Sequence, residues 1–455
     1  MTPVGFFTGT SRGSEQTLAI VRSFSVTRIG QVHQSLFNPD LVREALAGDP
    51  RNEVRDAGEV MNLDKVIDSG PAPIVAITSH STGSRSAADL VMVEARITDK
   101  GKGIGRIEWR VNGVTAAVAA KPSGDGPEYT IVKELALDAG DNTIEVVAYN
   151  ASNLLASLPA LTTIKFTGPA DQTKPTLHIL AIGINKYVDR GWTAPNQARA
   201  FFPPLTLAVK DAETFGAAMK RAAVGLYDKD KVLVTTRLDE AATRASLDET
   251  IDKLAGEIHP RDTFILFVAA HGIAKEGHFY LIPQDYDGGP DPTSLAERAI
   301  DQSRLQDWLA NRIKAKKAII LLDTCESGAL VGGYVRPRDL PAAEAAVGRL
   351  HEATGRPVLT AAASGQFAHE GKIAGSGERH GIFTWALLDA LRKGDKNGDG
   401  LIQLSELVGH VQRIVPELAE GSVRAAIAIP EPVLGVQTPR FGSRGEDFAL
   451  VRRLQ

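Results

Sequence analysis

From residue 175 onward, short runs of almost uninterrupted apolar residues alternate with amphipathic stretches. This rhythm limits the fold more than any other feature of the chain. The runs are 177–184 (LHILAIGI), 231–236 (KVLVTT), 263–272 (TFILFVAAHG), 317–325 (KAIILLDTC) and 357–364 (PVLTAAAS). The amphipathic stretches fall at 205–222, 242–257, 302–314 and 383–392. A strand that is apolar at successive positions has to be covered on both faces, and parallel neighbours need long crossovers, usually helical. The expected fold of residues 175–455 is therefore α/β, a mostly parallel sheet flanked by helices, and the tail holds another strand candidate at 447–451 (DFALV).

Upstream the period changes. Residues 71–168 hold short strand-like runs (PIVAITS, LVMVEARIT, IGRIEWRV, EYTIVKELAL, NTIEVVAY, TTIKF) with turn signals between them at Asn112-Gly113 and at 138–142. Strands at this spacing predict an immunoglobulin-like β-sandwich, a spacer or a docking module for a protein partner. Residues 168–175 (GPADQTKP) read as a linker. Residues 1–70 form a mixed segment, with a strand at LAIVRSFSV and a helix opened by Asn38-Pro39-Asp40.

Composition removes several functions. Of the 455 residues 43% are hydrophobic and 23% charged, as in ordinary folded domains. The net charge of −4 argues against a nucleic-acid or anionic-membrane partner. No apolar run approaches the roughly 20 residues of a membrane span. The first residues, MTPVGFFTGTSRGSEQ, show no basic-then-apolar leader pattern, so the expected compartment is the cytoplasm. No GxxxxGK[ST] occurs, and no GxGxxG opens a helix after a strand, so no organic cofactor is expected. The single cysteine excludes an intramolecular disulfide and a multi-cysteine zinc site.

That cysteine stands in unusual company. In open α/β sheets ligands bind beyond the carboxyl ends of the strands. Two reactive side chains lie there: His271, closing FILFVAAHG, and Cys325, closing AIILLDTCESG. Small residues follow both, Gly272 after one and Ser327-Gly328 after the other. A thiol with a pKa of about 8.5 is only slightly ionised at neutral pH, and a neighbouring imidazole takes its proton during attack. The developing oxyanion is then expected to meet the backbone N–H groups of Gly272 and Cys325. Singly, a strand-end His or Cys is most often a packing residue; together they point to a nucleophile and its base.

A second constellation lies at 395–406. Asp395, Asn397 and Asp399 hold positions 1, 3 and 5, Gly400 position 6, the Leu401 carbonyl position 7 and Glu406 position 12 of an EF-hand loop. Hard oxygen donors at this spacing predict calcium, against the alternative of an acidic turn that binds nothing. His278, seven residues after His271, reads as loop support rather than a metal ligand.

Several of these pieces occur together in a known order: LHILAIGINKY, LTLAVKDAETF, VAAHG, HFYLIPQD, LLDTCESG, LTAAASGQFAHE and RHGIFTWALL. Residues 175–415 thereby resemble the caspase-like cysteine peptidase superfamily, nearest its bacterial metacaspase-like (orthocaspase) branch. The resemblance implies that His271 and Cys325 are a catalytic dyad and that protein or peptide substrates carry Arg or Lys before the cleaved bond. It also implies that Asp323 and Asp211 line the pocket for that basic residue, with Ser364 and Gln366 on its wall. The plainer alternatives are a helix-turn acid for Asp211 and a loop support for Asp323. The chain departs from the family pattern at Ala208 and Ala269, where a pocket cysteine and serine are usual, and at Glu326, where many members carry His. Residues 328–356, with Arg336, Arg338, Arg349 and Arg356, occupy the place where relatives divide into large and small portions, so self-cleavage is expected there. Relatives are often calcium-dependent through other acids, and Asp285 and Asp301 fall in the matching region. The competing readings are a catalytically inactive scaffold and a calcium-sensing interaction protein.

Overall fold

A computed structural model describes residues 1–8, 18–22, 25–37, 39–50, 52–119, 126–168, 175–188, 192–194, 197–199, 202–275, 278–288, 292–326, 356–362, 368–373, 376–425, 437–442 and 447–454. The chain divides into two compact units, Met1–Ala170 and Asp171–Gln455. Among the described residues no helix is long and apolar enough to cross a membrane.

The first unit is built mostly of antiparallel sheet. Ser84–Ser86, Ala160–Phe166, Gly140–Asn150, Ile104–Val111 and Val114–Ala119 form one sheet in that order, and Ile74–Ile77, Leu90–Thr98 and Glu128–Ala136 form another. Alternate residues of both sheets, such as Val93, Ala95 and Ile97 from one and Ile107, Trp109 and Ile144 from the other, share one core. At the predicted Asn112-Gly113 turn both φ angles are positive, 52° and 79°, as a two-residue hairpin of primed type requires. Residues 1–70 carry more helix than the sequence suggests: Glu53–Val60 and Leu63–Asp68 join the expected Pro39–Leu46. The run LAIVRSFSV is not one strand. Its two ends, Ala19–Arg22 and Ser25–Arg28, pair with each other as antiparallel strands.

The second unit follows the strand–helix rhythm. Its elements are β1 (Leu177–Gly183), α1 (Ala208–Ala222), β2 (Val232–Leu238), α2 (Arg244–Glu257), β3 (Thr263–Lys275), β4 (His278–Leu281), β5 (Ile300–Asp301), β6 (Lys317–Glu326), β7 (Val358–Thr360), β8 (Glu370–Lys372), β9 (Arg379–Gly381), α3 (Ile382–Lys393), β10 (Leu401–Gln403), α4 (Leu404–Ala425), β11 (Arg440–Gly442) and β12 (Ala449–Arg452). The main sheet runs β2-β1-β3-β6-β7-β11, with β4 and β5 continuing from β3. Its first five strands are parallel, and β11, β4 and β5 pair antiparallel.

The two faces of this sheet bury separate cores, which explains why its strands are apolar at successive positions. Ile265 and Phe267 of β3 and Ile319 and Leu321 of β6 pack with Phe215 of α1, Phe383 of α3 and Val411 of α4. Phe264, Leu266 and Val268 of β3 and Ile320 and Leu322 of β6 pack instead with Leu247 and Ile251 of α2 and with Trp308. The expected helix over 302–314 is a short α-helix, Gln302–Gln306, continued by a π-helical turn, Asp307–Arg312. Among the described residues of the run 357–364, Val358–Thr360 form the three-residue β7. Its length is set by pairing, with β6 on one side and β11 on the other.

Candidate active site

The strands that carry His271 and Cys325 are neighbours, and β3 extends past its expected end at 272 to Lys275, where it pairs with β4. β3 and β6 pair in parallel from Thr263 and Lys317 to Gly272 and Glu326, which sets His271 opposite Cys325 in register. Adjacent strands run about 4.8 Å apart, so the two backbones are immediate neighbours. The preceding apolar runs hold this register, because a slip by one residue would exchange the residues facing the two cores. The Cys325 backbone belongs to β6, while its side chain and that of Glu326 lie outside the described residues.

His271 is 2% exposed. Its backbone N–H donates to the Tyr187 hydroxyl at 2.7 Å, and its Nε2 lies 2.8 Å from the Pro203 carbonyl oxygen. A carbonyl oxygen only accepts, so Nε2 carries the proton and, in the neutral ring, Nδ1 is the basic nitrogen. The rings of Tyr187 and Phe202 lie 4.9 and 5.6 Å from the imidazole centre and hold its plane. At Gly272 a Cβ would stand 3.0 Å from the Phe279 ring and 3.2 Å from Thr324 Cβ, so only glycine packs here without displacement.

On the α1 side of the sheet two carboxylates converge. Asp211, in the first turn of α1, is 2% exposed. Its Oδ1 lies 2.5 Å from His380 Nδ1, and its Oδ2 accepts from the Gly381 N–H at 2.8 Å. Asp323, two residues before Cys325 on β6, accepts at Oδ2 from the Thr384 hydroxyl at 2.5 Å. A Cβ at Gly381 would lie 2.7 Å from Asp323 Oδ2 and 3.0 Å from Asp211 Oδ2, so the two acids flank one point. Burial, and then the nearby Asp211 charge, push the Asp323 carboxyl up to about 7. Burial also raises Asp211, against the opposing hydrogen bonds from His380 and Gly381. A third acid stands close. Glu370 of β8 accepts from the Thr206 N–H and hydroxyl and from the Leu207 N–H, and its charge raises both aspartates further. Among the described residues, no lysine or arginine pairs with Asp211 or Asp323.

The remaining expected residues are dispersed. Ser364, Gln366, Arg336, Arg338 and Arg349 lie outside the described residues. Arg356 is buried, with its guanidinium donating to the carbonyls of Leu309, Ile313 and Lys316. The backbone of His278 opens β4, and its side chain lies outside the described residues. Asp285 accepts from the Arg244 N–H at the start of α2, and Asp301 caps the helix Gln302–Gln306. Sequence reasoning assigned no role to Tyr187, Pro203, Glu370, His380, Gly381 or Thr384. The last three lie within RHGIFTWALL, but their proximity to the aspartates depends on a sheet crossing that no local pattern encodes.

The loop 395–406 joins α3 to α4. Asp395 accepts from the N–H groups of Gly398 and Gly400, Asn397 from that of Asp399, and Asp399 from that of Leu401. Glu406 accepts from the N–H groups of Lys396, Asn397 and Gln403. Gly400 has φ +79°, which suits glycine at the sharp turn. The short strand β10 inside this loop pairs with β12. Its oxygen donors suit a hard cation. Among the described residues, though, no three His, Cys, Asp or Glu side chains form a group that could hold a metal ion.

Comparison with known proteins adds a family. The profile of the family described as Caspase domain matches residues 177–440, more than half of the chain. No curated protein matches. Among solved structures, protein GSU0716 from Geobacter sulfurreducens is similar at 19% identity and a TM-score of 0.35, over 59% of this chain and 93% of that one. The sulfur carrier protein SoxY from Chlorobium limicola f thiosulfatophilum is similar at 17% identity and a TM-score of 0.15, over 23% of this chain and 96% of that one. Neither structural likeness carries an argument at these scores.

Proposed function

The chain belongs to the caspase-domain family, and from that membership we propose that it is a cysteine endopeptidase cutting after Arg or Lys. One observation carries the reading: His271 and Cys325 stand in register, one pair before the parallel pairing of β3 and β6 ends, with the imidazole turned by the Pro203 carbonyl. In the proposed reaction the Cys325 thiol gives its proton to His271 Nδ1, and sulfur bonds to the substrate carbonyl carbon. The oxyanion is met by the N–H groups of Gly272 and Cys325. The C–N bond then breaks, and His271 protonates the leaving amine. Water, losing a proton to His271, attacks the thioester; the C–S bond breaks and the thiol is restored.

The paired carboxylates support the preference for a basic residue. Asp211 and Asp323 flank one point, and among the described residues neither pairs with a lysine or arginine. A guanidinium or ammonium entering there relieves their repulsion. The test is hydrolysis of fluorogenic peptides with Arg, Lys or Asp before the scissile bond, with Cys325→Ala as blank. Turnover after Arg and Lys is expected. Turnover after Asp alone would overturn the pocket assignment and leave the dyad standing. No turnover at all would leave the family fold serving as a scaffold.

Self-cleavage within 328–356 belongs to the same proposal. Arg356 is the least suitable of the four arginines there, since its side chain is buried. Parent protein is expected to fragment on a gel while Cys325→Ala stays whole; intact chains in both would end the idea. Calcium is proposed at 395–406, held by Asp395, Asn397, Asp399, the Leu401 carbonyl and Glu406. What supports it is the donor set and spacing, with Gly400 at the turn. Bound there, calcium would supply charge neutralisation for the loop.

A further inference from the structure

We propose that Gly381 and Thr384 are specificity-determining residues of the acidic pocket: Gly381 keeps the space between Asp211 and Asp323 open to a cationic side chain, and Thr384 orients Asp323 toward it. The inference rests on the basic-residue reading above and deepens it. Its first support is a glycine that the backbone does not require. Gly381 has φ −58° and ψ 136°, a conformation open to any residue. What forbids a side chain is the surroundings, since a Cβ would meet Asp323 Oδ2 at 2.7 Å and Asp211 Oδ2 at 3.0 Å. Those are the two oxygens a guanidinium would have to bridge.

The second support is how the carboxylates are held. The stretch from His380 to Thr384 supplies donors to both. His380 Nδ1 and the Gly381 N–H hold Asp211, and the Thr384 hydroxyl holds Asp323. Each acid is thus fixed by neutral donors or by an imidazole, and among the described residues neither is neutralised by a lysine or arginine. Opposite Gly381 in the β8–β9 hairpin is Glu370, which ties the hairpin to Thr206 and Leu207 just before α1. One short segment therefore sets the width of the gap and the orientation of both its walls.

Because the chain has a single cysteine, covalent labelling reports on Cys325 alone. Two reagents are compared on the full chain: iodoacetamide, small and uncharged, and a peptidyl arginyl chloromethyl ketone. In each case sulfur bonds to carbon and the halide leaves. The readout is the ratio of the arginyl rate to the iodoacetamide rate, taken only from variants whose circular dichroism matches the parent, because an unfolded chain keeps a thiol that iodoacetamide reaches while losing recognition of the peptide. Gly381→Ala is expected to lower this ratio about tenfold or more, the scale of one charge-assisted contact. Thr384→Val adds no volume at the gap and covers the case in which Gly381→Ala does not fold. It is expected to lower the ratio severalfold. An unchanged ratio in Thr384→Val, or in a folded Gly381→Ala, overturns the proposal. A different result marks failure of the underlying reading: a parent protein that reacts with the arginyl reagent no faster than with its alanyl counterpart.

Discussion

At the scale of single residues, the proposed chemistry depends on proton positions. The Pro203 carbonyl places the His271 proton on Nε2, so in the neutral ring Nδ1 is the basic nitrogen, as the proposed reaction requires. Cys325→Ala is expected to abolish peptide hydrolysis, and His271→Ala to lower kcat by roughly 10²–10⁴-fold, measured with fluorogenic peptides. Asp323 makes a separate prediction. Its carboxyl is held at about 7, against roughly 3.9 in an unfolded chain. Between those values the folded state keeps a proton that the unfolded chain has released. The associated stability is therefore full below about pH 4 and lost as pH rises through about 7. Asp323→Asn stays neutral and can still accept from Thr384. Scanning fluorimetry should show it melting on the order of a few degrees above the parent at pH 8, with the gap closing toward pH 4. A parent that melts higher at pH 8 would argue that the two acids are already compensated. Cleavage after Arg should fall in the same variant. His271 and Cys325 were legible in the sequence because each ends an apolar run. His380 and Thr384 were not, since a polar residue beside an apolar helix carries no mark of what it will face.

At the scale of elements, what was legible followed from periodicity. The long strands β1, β3 and β6 and the helices α1, α2 and α3 match their sequence signals because core burial alone defines them. Elements defined by a partner were not legible. β7 is short because its pairing is short, and the hairpin of Ala19–Arg22 with Ser25–Arg28 exists only through its own register. Local end signals can also be tested. Thr243 caps α2 by accepting from the Ser246 N–H, so Thr243→Ala should cost about 1 kcal/mol in denaturant unfolding. The loop between α3 and α4 predicts that terbium luminescence titrates with the parent and is displaced by calcium. Glu406→Gln should weaken that binding strongly by removing the charge at position 12. Equal terbium affinity in the variant would count against the assigned ligands.

At the scale of the whole molecule, each of the two units has a core of its own. Ile144 is fully buried in the sandwich core and Ile251 in the core beneath α2. Calorimetry is expected to resolve two transitions. Ile144→Ala should lower one and Ile251→Ala the other, each by about 2–5 kcal/mol. A single transition lowered equally by both would mean that the units unfold as one.

By itself, the sequence determined the switch from antiparallel to mostly parallel sheet, the long strands and helices, and the apolar runs after which His271 and Cys325 fall. These are local properties, written in the spacing of apolar residues and the small residues that follow them. Only the tertiary structure decided that β3 and β6 are neighbours in a register that sets the two residues opposite each other. It alone brought Asp211 from a helix and Asp323 from a strand to the two sides of Gly381. Pairing and convergence depend on contacts between segments distant in the chain. Their energy comes from burying two faces of one sheet at once, which no single segment encodes.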